Sequence, residues 1–142
     1  MKTLNLLLQK KGRDVWSVSP DDSVFDALRL MADKGIGAVL VMEDGRVVGI
    51  LSERDYARKV ALEGRTSRDT PVRAIMTSRV VYARADQTIE EAMAIMTEKR
   101  VRHLPVLANG ELVGIVSIGD LVKEIISDQQ FMIDQLINYI TS

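Results

Sequence analysis

The sequence predicts a mixed α/β (α+β) fold in which two tandem β-α-β-β-α units pack sheet to sheet as one pseudo-two-fold module. Three observations lead there. The chain contains itself twice, each copy carries the same helix signal followed by the same hairpin signal, and neither copy of about 46 residues is large enough to be stable alone. Val15 to Val60 aligns without a gap on Val80 to Ile125 at a constant offset of 65 positions. Roughly a dozen of the pairs are identical, which marks an internal repeat rather than chance similarity.

Each copy opens its helix with a polar cap. Ser23 with Asp26, and Thr88 with Glu91, form the S/T-x-x-D/E pattern that satisfies the first free N–H groups of a helix. Val24, Ala27, Leu28 and Met31 recur as Ile89, Ala92, Met93 and Met96, each set spaced i, i+3, i+4, i+7 to give one apolar stripe. A hairpin follows in both copies: Ala38 to Met42 and Val47 to Leu51 flank Asp44-Gly45, while Leu104 to Leu107 and Leu112 to Val116 flank Asn109-Gly110. Asp-Gly and Asn-Gly supply the positive φ angles of a tight turn.

These signals divide the chain into an N-terminal helix or extension (1–14), a first repeat (15–62), a linker (63–79), a second repeat (80–127) and a C-terminal helix (128–142). The apolar run Leu6 to Leu8 is too short for a signal peptide or membrane span and reads as an amphipathic helix docked on the body or on a second subunit. The linker has loop composition, with Gly64, Ser67, Asp69, Thr70 and Pro71 among Arg65, Arg68 and Arg73. Ile133, Leu136, Ile137 and Ile140 share one helical face. Packing on the helix's own domain and contact with a second copy both account for that face.

Composition narrows the function classes. Of 142 residues, 46% are hydrophobic and 27% charged, an ordinary globular balance. Lys plus Arg (19) against Asp plus Glu (20) leaves a net charge of -1, so no bulk positive field exists to hold nucleic acid or an anionic membrane. The absence of cysteine excludes disulfides, thiolate metal sites and cysteine nucleophiles, and fits a cytoplasmic location. With His103 as the single histidine and neither G-x-G-x-x-G nor a G-x-x-x-x-G-K-S/T loop, an enzyme is not expected. Asp21 with Asp22, and Glu90 with Glu91, sit at helix starts, where capping and the helix dipole explain them.

The second hairpin strand runs in both copies into one short phrase, Gly49-Ile50-Leu51-Ser52-Glu53-Arg54-Asp55 and Gly114-Ile115-Val116-Ser117-Ile118-Gly119-Asp120. One reading is a capping box. The other uses the same geometry for binding, since a carboxylate at a helix start can accept both hydroxyls of a ribose while backbone N–H groups face a phosphate. Ahead of the hairpins lie Gly35-Ile36-Gly37-Ala38 and Arg100-Val101-Arg102-His103-Leu104-Pro105. The small residues let a flat ring approach the backbone, and the arginines with His103 suit a phosphate or, alternatively, a solvated surface with carboxylate partners.

The duplicated unit, the repeated G-I-x-S-x-x-D phrase and the R-H-L-P-V run resemble the CBS domain, named after cystathionine β-synthase and normally found in pairs. The likeness extends from about Val15 to Ile126 and is strongest to stand-alone bacterial pairs, through Ser52 to Lys59 and Ser117 to Lys123. It implies two related clefts that take AMP, ADP, ATP, NAD(H) or S-adenosylmethionine, with no obligatory cofactor beyond such a ligand and any Mg²⁺ riding on its phosphates. Position by position, it implies Asp55 and Asp120 on ribose hydroxyls and Ser52 and Ser117 supporting ribose or phosphate. Backbone near Gly37, Ala38, His103 and Leu104, with Pro105 beside it, would meet adenine. Arg54, Arg100 and Arg102 would meet phosphate, with Thr77 and Tyr82 as lining residues at the start of the second unit. The first copy lacks a basic pair before its hairpin, which puts its cleft in doubt. The resulting expectation is a homodimeric adenine-nucleotide sensor acting on a partner protein. A ligand-independent interaction module with vestigial clefts is the alternative.

Overall fold

The computed structural model describes residues 2–141 and divides into two compact units. The chain opens with helix α1 (Leu4–Lys11) and continues through β1 (Ser17–Val18), α2 (Val24–Lys34), β2 (Ala38–Glu43), β3 (Arg46–Ser52) and α3 (Glu53–Tyr56). Then follow β4 (Ala83–Arg84), α4 (Ile89–Lys99), β5 (His103–Ala108), β6 (Glu111–Ser117) and α5 (Ile118–Thr141). Both copies are therefore β-α-β-β-α, and the expected mixed fold is present. In each, the first strand pairs parallel with the second and the second antiparallel with the third.

The local signals act as anticipated. Asp44 and Gly45 adopt φ of 53° and 75°, and Asn109 and Gly110 adopt 52° and 79°, the paired left-handed residues of a type I′ turn whose twist matches the strands. Thr88 and Glu91 form a reciprocal capping box. Ser23 makes only its half, accepting from the Asp26 N–H at 3.1 Å. Here the chain around residue 71 holds the turn instead, through Val24 N–H to Thr70 O and Val72 N–H to Asp22 O, both 2.8 Å.

The second unit contains α1. It unites the chain up to Asp14 with the chain from Val81 onward, while the first unit is Val15–Val80. Each repeat is thus completed by the segment that precedes the other repeat. In the second unit the Leu4 N–H bonds Gln87 O, the Asn5 N–H bonds Ala85 O, and the Ile89 N–H bonds Lys2 O. In the first, Val72 bonds Asp22, Arg73 bonds Pro20, and Val24 bonds Thr70 in the same way. Residues 2–8 and 70–76 play one role, and the linker expected over 63–79 is in this part a built element of the first repeat. Leu4, Leu7 and Leu8 are buried with Ile89, Leu104, Val116 and Leu121. Val72 and Ile75 are buried with Val24, Val39, Leu51 and Val60.

Glycine makes the docking possible. A Cβ on Gly114 would stand 2.7 Å from Leu8 Cδ2, and one on Gly49 would stand 2.7 Å from Met76 Sδ and 3.1 Å from Thr77 O. The C-terminal boundary expected at residue 128 is not observed, because α5 runs unbroken from Ile118 to Thr141 with no glycine or proline past Gly119 to stop it. Its final turns are open to solvent: Phe131, Met132, Leu136 and Ile140 are each more than half exposed.

Two measurements test this account. Gly114→Ala is expected to cost about 1–3 kcal/mol in urea unfolding, because Leu8 is fully buried and cannot retreat. Combining it with Leu8→Ala should be less destabilising than the sum of the single changes, since each removes the other's clash or cavity; strict additivity would contradict direct contact. Arg100 ends α4 in the left-handed region, φ 57°, where α2 ends on Gly35. Arg100→Gly should therefore raise stability by roughly 0.5–1 kcal/mol, read as a higher urea midpoint.

Candidate functional site

The repeated Gly-Ile-x-Ser-x-x-Asp phrase bends from strand into helix in both units. Ser52 caps α3: its Oγ accepts from the Asp55 N–H at 3.2 Å, and Asp55 Oδ2 accepts from the Ser52 N–H at 3.0 Å and from the Ser52 hydroxyl at 3.1 Å. At the start of α5, Ser117 Oγ accepts from the Asp120 N–H at 3.1 Å and Asp120 Oδ2 from the Ser117 N–H at 2.8 Å. The capping reading is realised at both places. It leaves open whether the carboxylates retain capacity for anything else.

The loop ahead of each hairpin lies against the capped turn. Ala38 pairs across the sheet with Ser52, and His103 with Ser117. The first N–H of each following helix ties the two together, Glu53 to Gly37 O at 3.0 Å and Ile118 to Arg102 O at 2.8 Å. Gly37, Ala38, Ser52 and Asp55 thus converge in the first unit, and Arg102, His103, Ser117 and Asp120 in the second. Leu104 and Pro105 are buried within the sheet, opposite Val116 and Ile115, so only their backbone could meet a ligand. Arg54, Arg100 and Arg102 are exposed, and none forms an ion pair among the described residues. The reading that gave them carboxylate partners is therefore not supported. Tyr82, half-buried ahead of β4, has its phenol pushed up by burial, and no hydrogen bond joins it to the capped turn among the described residues.

Thr77 is placed differently from the expectation. It belongs to the first unit, where its backbone exchanges hydrogen bonds with Ile50 (2.9 and 3.0 Å) and its hydroxyl donates to Asp55 Oδ1 at 3.3 Å. It precedes the second repeat in sequence but follows the path that completes the first. Lys59, one turn along from Asp55, reaches the same Oδ1 at 3.3 Å. Both Asp55 oxygens are thereby engaged.

Asp120 differs. Its Oδ2 takes the Lys11 ammonium at 2.6 Å in addition to the Ser117 N–H, and no hydrogen bond among the described residues engages its Oδ1. Partial burial by itself would push this carboxyl up, but the Lys11 and Ser117 hydrogen bonds outweigh it and hold the group below the ordinary carboxylate range. Asp120 is thus ionised at neutral pH, anchored through one oxygen, with the other available as an acceptor. Sequence reasoning missed both lysines. Lys59 was legible as the i+4 neighbour of Asp55, whereas nothing in the sequence connects Lys11 to a residue 109 positions away.

The chemistry on offer is recognition. A carboxylate at a helix start lies beside the loop that carries Arg102 and His103, and no group of three or more His, Cys, Asp or Glu that could hold a metal occurs among the described residues. No helix of the described residues is long and apolar enough to cross a membrane.

Comparisons with known proteins agree with this picture. The profile of the CBS domain matches residues 12–62 and again 72–127. The mitochondrial CBS domain-containing protein CBSX3 of Arabidopsis thaliana is 33% identical, over 97% of this chain and 71% of its own length. The CBS domain-containing protein YhcV of Bacillus subtilis is 34% identical, over 81% of each chain. Among solved structures, a CBS-domain protein from Burkholderia ambifaria superposes with a TM-score of 0.87 at 50% identity, covering 90% of this chain and 96% of that one. These matches span both repeats, and the chain is a member of the CBS domain family, carrying two CBS domains in tandem.

Proposed function

We propose that the protein is a regulatory module that binds an adenine nucleotide (AMP, ADP, ATP or NAD(H)) and passes the signal to a partner protein, rather than a catalyst. The observation that carries this reading is Asp120, an ionised carboxylate at a helix start whose Oδ1 takes no hydrogen bond among the described residues, which suits an acceptor of ribose hydroxyls. Arg100 and Arg102, exposed and unpaired on the adjoining loop, supply phosphate partners. Any Mg²⁺ arrives with those phosphates. In the first repeat both Asp55 oxygens are already engaged, so the second cleft fills first. That engagement also favours the second reading, an interaction module whose clefts are vestigial, for the first repeat alone.

A ligand at 100 times its Kd adds about 2.7 kcal/mol to stability, enough for a clear thermal shift. Calorimetry with AMP, ADP, ATP, NAD⁺, NADH and S-adenosylmethionine is expected to give a stoichiometry near one per chain for a nucleotide. Asp120→Ala should abolish binding and Asp55→Ala should leave it nearly unchanged. No response to any of them would select the ligand-independent module.

The protein self-associates, on this proposal, through α5. Ile126, Ile133 and Ile140 fall at one position of a seven-residue repeat, with Val122, Gln129 and Leu136 at the position three later, an apolar seam interrupted once by Gln129 that suits pairing with a second copy. The five apolar residues are 40–78% exposed. A cyanobacterial CBS-CP12 protein, 25% identical with a TM-score of 0.75, is hexameric. Light scattering should give a dimer or larger assembly, and Ile133→Asp with Leu136→Asp should give monomers of unchanged secondary structure. An unaltered mass in the double variant would refute the α5 seam.

A further inference from the structure

Both ribose-type carboxylates carry a lysine, but from different sources. Asp55 takes Lys59 from the next turn of its own helix. The same register position in the second repeat is Glu124, an acid, which is itself held by Lys2 at 2.6 Å and Lys10 at 2.9 Å. Asp120 therefore takes its cation from α1: Lys11 Nζ lies 2.6 Å from Asp120 Oδ2 and 2.6 Å from Ile115 O. Ile115 corresponds to Ile50, whose backbone in the first unit is covered by Thr77, the residue whose hydroxyl also reaches Asp55. Asp55 is thus held by a hydroxyl and an ammonium at Oδ1, and Asp120 by one ammonium at Oδ2 that also covers the third strand.

We infer that Lys11 is the residue by which the second cleft selects anionic nucleotides over neutral nucleosides. This rests on the nucleotide-binding reading given above. Of two vicinal ribose hydroxyls, one can donate to Asp120 Oδ1, and the other competes with Lys11 for Oδ2. A ligand that also carries a phosphate offers the displaced ammonium a new anion within reach of its flexible four-carbon stem, so the exchange leaves no charge unpaired. Adenosine takes the carboxylate and returns nothing. A sulfonium ligand such as S-adenosylmethionine adds a second cation to the same place. The Lys11 side chain retains about a third of its exposure (35%), so water softens the discrimination to about tenfold, far from that of a fully buried pair.

The test is the affinity of AMP, ADP and adenosine, by calorimetry, for the full chain and for Lys11→Met, Lys11→Arg and Lys10→Met, with circular dichroism to check that α1 stays folded. Lys11→Met is expected to weaken AMP and ADP on the order of tenfold while leaving adenosine unchanged or tighter. Lys11→Arg, which keeps the charge, and Lys10→Met, which touches only Glu124, should retain the preference. Equal weakening of nucleotide and nucleoside in Lys11→Met would reduce Lys11 to a structural strut and overturn the inference, as would no change in either. A parent protein that binds none of the three would instead refute the nucleotide reading itself, an outcome separable from nucleotide binding indifferent to Lys11.

Discussion

The three strands and two helical segments of one repeat do not by themselves cover the apolar face of its sheet. Everything else in this molecule follows from how that face is closed. Each repeat leaves a gap beside its third strand, and a short segment from outside the repeat fills it, Leu4 to Leu8 in one unit and Val72 to Met76 in the other. Gly114 and Gly49 set the distance of approach, because a side chain at either point would occupy the volume that Leu8 or Met76 takes. The hydrophobic closure comes first, and the placement of Lys11 and Thr77 beside the two carboxylates is its by-product.

The fold was largely legible because the signals that specify it are local. Asp44-Gly45 and Asn109-Gly110 dictate a turn whatever surrounds them, and Thr88 with Glu91 caps a helix from within one turn. The two closing segments were not legible. Their equivalence lies at an offset of 68 positions, Leu4 with Val72 and Leu8 with Met76, while the repeats align at 65, so an ungapped comparison passes over it. The C-terminal boundary failed for a related reason: an amphipathic stripe reports which face of a helix is apolar and is silent on whether the helix has been interrupted.

At the candidate site, the residues contributed by a single repeat were readable and those contributed by a closing segment were not. Ser52 with Asp55 and Ser117 with Asp120 are set by one turn of helix, and the sequence carries them in plain form. The difference between the two clefts depends on Thr77 and Lys11, whose positions are decided by packing far along the chain. The shared Ser and Asp of the two phrases thereby acquire different neighbours, Thr77 and Lys59 in the first unit and Lys11 in the second.

The borrowed closing segments also impose an order on biosynthesis. The first unit is contiguous, Val15 to Val80, so it can complete its core as soon as that stretch has left the ribosome. The residues of α1 are made before Ile89, Val116 and Leu121 and have no partner until those emerge. Leu4, Leu7 and Leu8 must wait, unburied, until the second repeat is complete. Docking α1 on the second repeat closes a far longer loop than the hairpin within that repeat, and it carries the larger closure entropy.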